Sequence, residues 1–156
     1  MTSKLTILGT SARFATTLRA CAGYLLELDG RRLWLDAGAG TWRNLLGHCA
    51  FDEIDGVVLT HRHPDHVTDV FQLQHALLYG PKGRLPGIPL WAPAETIDAL
   101  SAYDDLHDGF ELHAVAGGDA ITFAGATIRF VSMAHPPETV GVRVETADGV
   151  LAYSAD

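Results

Sequence analysis

His61-Arg62-His63-Pro64-Asp65-His66 packs three imidazoles and a carboxylate into six residues, directly after the apolar run Val57-Val58-Leu59. Neutral imidazole and carboxylate are the ligand set of Zn²⁺ and its first-row neighbours, and catalytic sites built from them keep one coordination position open for water. Along an extended segment His61 and His63 point to the same side, and His66, at the start of a following helix, swings in beside them. A polar loop with unconnected histidines is the other reading of such a stretch, and the spacing argues against it.

Outward from this motif the chain alternates strands and helices without repeats or low-complexity tracts. Residues 4–9, 24–28 and 32–36 read as strands, the last two joined by Asp29-Gly30, a dipeptide that suits a type I′ hairpin because both positions accept positive φ. Thr41 is placed to cap a short helix to about residue 48, and residues 56–60 form a nearly continuous apolar strand that delivers the motif at its carboxyl end. Val67, Val70, Phe71, Leu73, Leu77 and Leu78 follow helical spacing, so the motif is pinned between a buried strand and a packed helix. A Pro/Gly loop, a short strand at 88–91 and a helix at 93–102 come next. Strands at 110–115, 119–123, 126–133, 140–145 and 150–153 complete the chain, separated by Gly117-Gly118, Ala124-Gly125 and Asp148-Gly149.

Several of these segments together resemble the metallo-β-lactamase-fold hydrolases. Thr60-His61-x-His63-x-Asp65-His66 is similar to that family's signature, and residues 4–9 with Thr10-Ser11 resemble its opening strand and active-site loop. Leu33-Trp34-Leu35-Asp36-Ala37-Gly38 resembles its strand-Asp-x-Gly element, Ala134-His135-Pro136 its third-histidine motif, and residues 151–156 its Tyr-Ser-Gly-Asp strand end. The run Ala134 to Gly141 looks most like the ribonuclease Z and class II cyclic-nucleotide phosphodiesterase branch. The resemblance implies an α/β chain, an αββα sandwich of which residues 1–156 form one domain covering roughly the amino-terminal half to two thirds. Relatives of this type continue past the bridging Asp and carry a last His ligand there, so a longer protein is expected.

The resemblance also implies a ligand set. His61, His63 and His135 would hold one divalent transition-metal ion, while Asp65, His66 and the distal His would hold a second, with Asp156 bridging. Zinc is the first expectation, with manganese and iron as alternatives. The implied reaction is hydrolysis of a phosphodiester, a cyclic nucleotide or an RNA 3′ end, by a metal-bound hydroxide. Asp65 has a second candidate role as catalytic acid–base beside that water. Asp36 is expected to orient a ligand imidazole, with helix capping as the other reading. Thr10, Ser11 and Arg13 are candidates for contacting a phosphate, against an ordinary surface loop. Ala155 stands where the family has Gly, and Ala resists positive φ. Other hydrolases of the fold, acting on lactones, thioesters or arylsulfates, and a non-catalytic metal-binding scaffold are the competing readings.

Composition bounds the rest. A chain of 156 residues that is 47% hydrophobic and 19% charged has the material for one packed core. The net charge of −8 comes with no basic stripe, which disfavours a mode of nucleic-acid binding that relies on counterion release. Cys21 and Cys49 are isolated and read as free thiols of a reducing compartment. The amino terminus Met1-Thr2-Ser3-Lys4 lacks the long apolar region of a signal peptide, no stretch approaches a membrane span, and a cytoplasmic location is expected. Meander, then αβ, then meander is the order of one half of an αββα sandwich. An uncovered inner sheet face is therefore expected, and with it a homodimer that buries the face.

Overall fold

The computed structural model describes residues 3–156; Met1 and Thr2, which the reading of the amino terminus included, lie outside them. The elements, in order, are β1 (Ser3–Gly9), β2 (Gly23–Leu28), β3 (Arg31–Ala37), α1 (Thr41–Leu45), β4 (Gly56–Val58), α2 (Pro64–Val67), α3 (Val70–Tyr79), β5 (Ile88–Ala92), α4 (Ala94–Ser101), β6 (Phe110–Ala114), β7 (Ala120–Phe123), β8 (Ala126–Ser132), β9 (Val140–Thr146) and β10 (Gly149–Tyr153). Asp29 and Gly30 join β2 to β3 with φ of 46° and 81°, the left-handed pair that a type I′ turn requires.

The strands form two sheets. One has six strands in the order β1-β2-β3-β4-β5-β6, antiparallel through β3 and parallel from there. The other is a four-stranded antiparallel sheet, β10-β9-β8-β7. Because side chains alternate along a strand, the six-stranded sheet is apolar on both faces. Leu25, Trp34, Val57, Leu59 and Leu90 pack against Leu45 of α1, Val70, Leu73 and Leu77 of α3 and Leu100 of α4. Leu26, Leu28, Leu33, Leu35 and Val58 meet Ile128, Phe130, Val140, Val142 and Val144 of the second sheet. Trp34, Leu33 and Leu35 are essentially fully buried, each stabilising the fold by about 1.5–3 kcal/mol or somewhat more for the indole.

The uncovered inner face expected from the sequence is therefore corrected. The later strands are not extensions of the first sheet; they turn back as a second sheet and cover it. Leu26, Leu33, Val140 and Val142, expected to be short of cover, are buried between the two sheets. Covered in this way, the inner face leaves no apolar surface of its own for a homodimer to bury. What β1 retains is a partly open margin, with Leu5 and Ile7 exposed. The layers within the described residues are helices, sheet, sheet, and none of the residues in the inter-sheet core comes from a helix.

Two local expectations also change. The helix after the motif is broken into α2 and α3, with Thr68 and Asp69 between them. Asp69 spends its carboxylate on α1, where its Oδ2 accepts from the Trp42 N–H at 2.8 Å. Thr41 does not cap that helix: it is the first helical residue after Gly40, and its hydroxyl donates to the Gly38 carbonyl at 2.6 Å. The cap comes from a residue distant in sequence. No helix of the described residues is long and apolar enough to cross a membrane.

Candidate metal centre

Strand β4 lies between β3 and β5 and is followed by three buried residues, Leu59, Thr60 and His61, so the motif leaves the sheet from its centre. Pro64 at the first position of α2 then sets the backbone that carries Asp65 and His66. His135 arrives from the second sheet, on the loop between β8 and β9, and Asp156 follows β10. Four of the six candidate ligands thus follow a strand of the six-stranded sheet and two follow strands of the other.

The residues converge in two groups, His61/His63/His135/Asp156 and Asp65/His66/Asp156, with the ligand atoms of each group within 4.8 Å of one another. His61 Nε2 lies 3.1 Å from His63 Nδ1, which lies 3.2 Å from His135 Nε2. Imidazole nitrogens bound to one tetrahedral zinc at about 2.0–2.1 Å stand roughly 3.3–3.4 Å apart, so the spacing matches a coordination edge. Asp156 belongs to both groups. Its Oδ1 is 3.4 Å from His66 Nε2 and its Oδ2 3.8 Å from His135 Nε2, so one carboxylate turns an oxygen to each. Ala155 has a φ of 60°, the left-handed region in which the family's Gly would cost less, and it sets the direction of Asp156.

The hydrogen bonds behind the histidines decide which nitrogens face the centre. Asp36 is fully buried and accepts from the Thr60 N–H at 2.8 Å, the Thr60 hydroxyl at 2.9 and 3.0 Å, and the Tyr153 hydroxyl at 2.8 Å. Its Oδ2 also faces His66 Nδ1 at 2.7 Å; a carboxylate can only accept here, so Nδ1 carries the proton and Nε2 is turned inward as a lone pair. With its own proton given to Asp36, the Thr60 hydroxyl accepts from His61 Nδ1 at 3.1 Å, which leaves His61 Nε2 bare as well. One His63 N–H can satisfy only one of its two neighbours. A cation among the three nitrogens satisfies all of them, and on this donor chemistry the residues fit a divalent transition-metal ion.

Electrostatics treat the two buried histidines differently. Burial, with the nearby His66 charge, holds His61 down to about 4, so its imidazole is neutral at neutral pH. Burial alone would lower His66 too, but the hydrogen bond and charge of Asp36 outweigh it and raise the value. Burial and Asp36 push the Tyr153 hydroxyl upward, keeping it a donor. Cys21 is also raised, by burial and by Asp65, and it belongs to neither ligand group.

A cleft of about 330 Å³ opens over the centre, lined by Arg13, His63, Pro64, Asp65, His135 and Asp156. Arg13, with φ of 66°, donates its backbone N–H to Asp65 Oδ2 at 2.6 Å. Thr10 and Ser11 are not among the lining residues; the Ser11 hydroxyl donates to the Phe14 carbonyl instead. Gly38 is required by close approach, since a Cβ there would lie 2.0 Å from the Asp65 carbonyl oxygen. Asp36 accepts the bonds an imidazole-orienting residue should accept, and α1 has no side-chain cap from it.

The sequence reading gave no role to Thr60, Tyr153 or Glu95. Thr60 and Tyr153 lie inside the quoted motifs, but only the fold shows that both hydroxyls end on Asp36. Glu95 had no sequence signal.

The family described as "Beta-lactamase superfamily domain" matches residues 31–156. The chain belongs to that family. It is 27% identical over 158 residues to the probable metallo-hydrolase YhfI of Bacillus subtilis, covering 98% of this chain and 63% of YhfI. Ribonuclease Z of Archaeoglobus fulgidus is 26% identical over 149 residues, 92% of this chain and 48% of the enzyme. The crystal structure of YhfI superposes with a TM-score of 0.86 at 25% identity, over 99% of this chain and 62% of that one. Human tRNase Z, short form, shares the fold with a TM-score of 0.80 at 17% identity, over 99% of this chain and 69% of that one. The fold is the metallo-β-lactamase fold. The chain spans about 60% of the length of YhfI.

Proposed function

We propose that this protein is a metal-dependent hydrolase that cleaves a phosphodiester. The observation that carries the reading is the pair of ligand groups that share Asp156, one of three imidazoles and one of Asp65 with His66. His61, His63 and His135 would hold one divalent transition-metal ion and Asp65 and His66 the other, with Asp156 common to both. Zinc suits the imidazole-rich donor set, and manganese or iron are alternatives. When bound, such ions make hydroxide available near neutral pH and neutralise charge on the attacking and leaving oxygens.

The chain's own residues do the rest. Asp36 holds the tautomers of His61 and His66. Asp65, steadied by the Arg13 N–H, accepts the proton of the attacking water and returns it to the leaving oxygen. The Arg13 side chain, at the mouth of the cleft, pairs with a phosphate oxygen. Ribonuclease Z among the relatives supports phosphodiester chemistry. The net charge of −8 and the lack of a basic stripe favour a small phosphodiester, such as a cyclic nucleotide, over a long RNA held by its backbone. Buried free thiols at Cys21 and Cys49 suit a cytoplasmic protein.

A panel assay of zinc-loaded and manganese-loaded protein tests the reading. Turnover of bis-p-nitrophenyl phosphate or a cyclic nucleotide, lost with Asp65→Asn, is expected. Turnover of a lactone, thioester or arylsulfate with no phosphodiester cleavage would overturn it.

A further inference from the structure

The three-imidazole group is assembled from two separate layers, and something must hold them in register. His61 and His63 leave β4 of the six-stranded sheet, whereas His135 sits on the β8–β9 loop of the other. The main chain supplies one tie, from the Val140 N–H to the Thr60 carbonyl at 3.0 Å, on the far side of that loop from His135. The second tie is a side chain. Glu95, in the first turn of α4, accepts from Arg62 Nε at 2.6 Å through Oε1 and from the Glu138 N–H at 3.0 Å through Oε2. Arg62 lies between His61 and His63, and Glu138 is three residues beyond His135. One carboxylate therefore touches both ligand-bearing segments without reaching the centre itself.

Its support is rigid. Thr96 and Leu100 anchor α4 in the core, and a glutamate in a first turn is favoured by the helix dipole. Both acceptor bonds hold Glu95 below the usual carboxylate range, the Glu138 N–H first and Arg62 next. An exposed ion pair of this kind contributes little to stability by itself. Its effect is geometric.

We propose that Glu95 is a positioning residue that fixes the His135 loop against the His61–His63 segment, so that the three nitrogens already stand at coordination spacing before an ion binds. This rests on the metal reading above. The experiment is Zn²⁺ competition with a chromophoric chelator, run on the wild-type protein, Glu95→Ala and Arg62→Met, alongside the urea midpoint of each metal-free protein. Partners one shell behind metal ligands are typically worth 10–100-fold in affinity, and Glu95 acts at one further remove, so Ala should weaken the tightest site roughly three- to tenfold. Arg62→Met cuts the other arm of the tie while leaving the Glu95 carboxylate and its bond to the Glu138 N–H in place, so it should weaken binding to a similar extent, and the urea midpoints should barely move. Affinity of the Ala variant within twofold of wild type would overturn the proposal. So would unchanged or tighter binding in Arg62→Met, because the effect of Glu95 would then come from its charge near a dication rather than from the tie to the loop. Absence of zinc binding in the wild-type protein would instead refute the metal reading.

Discussion

Replacing Asp36 by Asn tests the hub of the centre. The side chain is fully buried and receives donors from Thr60, His66 and Tyr153. An amide keeps the shape but has one acceptor oxygen and one NH₂. If the oxygen stays with Thr60, the NH₂ faces the His66 N–H and the Tyr153 O–H; if it turns to those two, the Thr60 N–H is orphaned. Two hydrogen bonds to a charged acceptor are lost in the first orientation and one in the second, at about 1.5–3 kcal/mol each, so the cost is at least about 1.5–3 kcal/mol. For a domain near 150 residues, where 1 kcal/mol shifts the melting point by about 2–4 °C, the metal-free protein should melt at least about 3–6 °C lower. His66 has one escape, to move its proton to Nε2 and accept at Nδ1, but that turns an N–H toward the centre and removes a ligand lone pair. Metal affinity should therefore fall about 10–100-fold as well. Thermal melting of stripped protein and chelator competition read the two effects separately. A melting point within about 2 °C of wild type, with affinity unchanged, would refute the assignment of Asp36 as the common acceptor.

Tyr153→Phe removes one of those bonds while the ring still meets Tyr24 at 4.9 Å; a loss of about 1–2 kcal/mol in urea unfolding is expected, smaller than for Asp36→Asn. Asp65→Asn should leave folding nearly intact, since the amide oxygen still accepts the Arg13 N–H, and should cut phosphodiester turnover by about 10²–10⁴-fold; a loss below tenfold in steady-state assays would remove Asp65 from the proton transfers.

Much of this arrangement was legible in the chain because it is local. The 61–66 motif, the Asp29-Gly30 turn and the apolar run at 57–59 each declare themselves within a few residues, and His135 and Asp156 became visible through resemblance. The pairing of β7 to β10 into a separate sheet was not legible. An alternating strand such as Val140, Val142 and Val144 states that one face is buried but not which surface buries it. The same limit hid the links made across sequence. Asp69 caps α1 from 27 residues away, Tyr153 reaches Asp36 across 117, and Glu95 joins two loops from a helix whose own pattern says nothing of them. Arg13 lines the cleft, yet its firmest contact is a backbone N–H, which no side-chain pattern announces.

Metal content is the most direct test of the account. Protein stripped with chelator, dialysed and titrated with Zn²⁺ should take up one ion tightly at His61, His63, His135 and Asp156, and a second more weakly at Asp65, His66 and Asp156, which offer one ligand fewer. His63→Ala should abolish the tight ion and leave the weaker one. Protein that binds no zinc, or a tight ion that survives His63→Ala, would contradict the central claim.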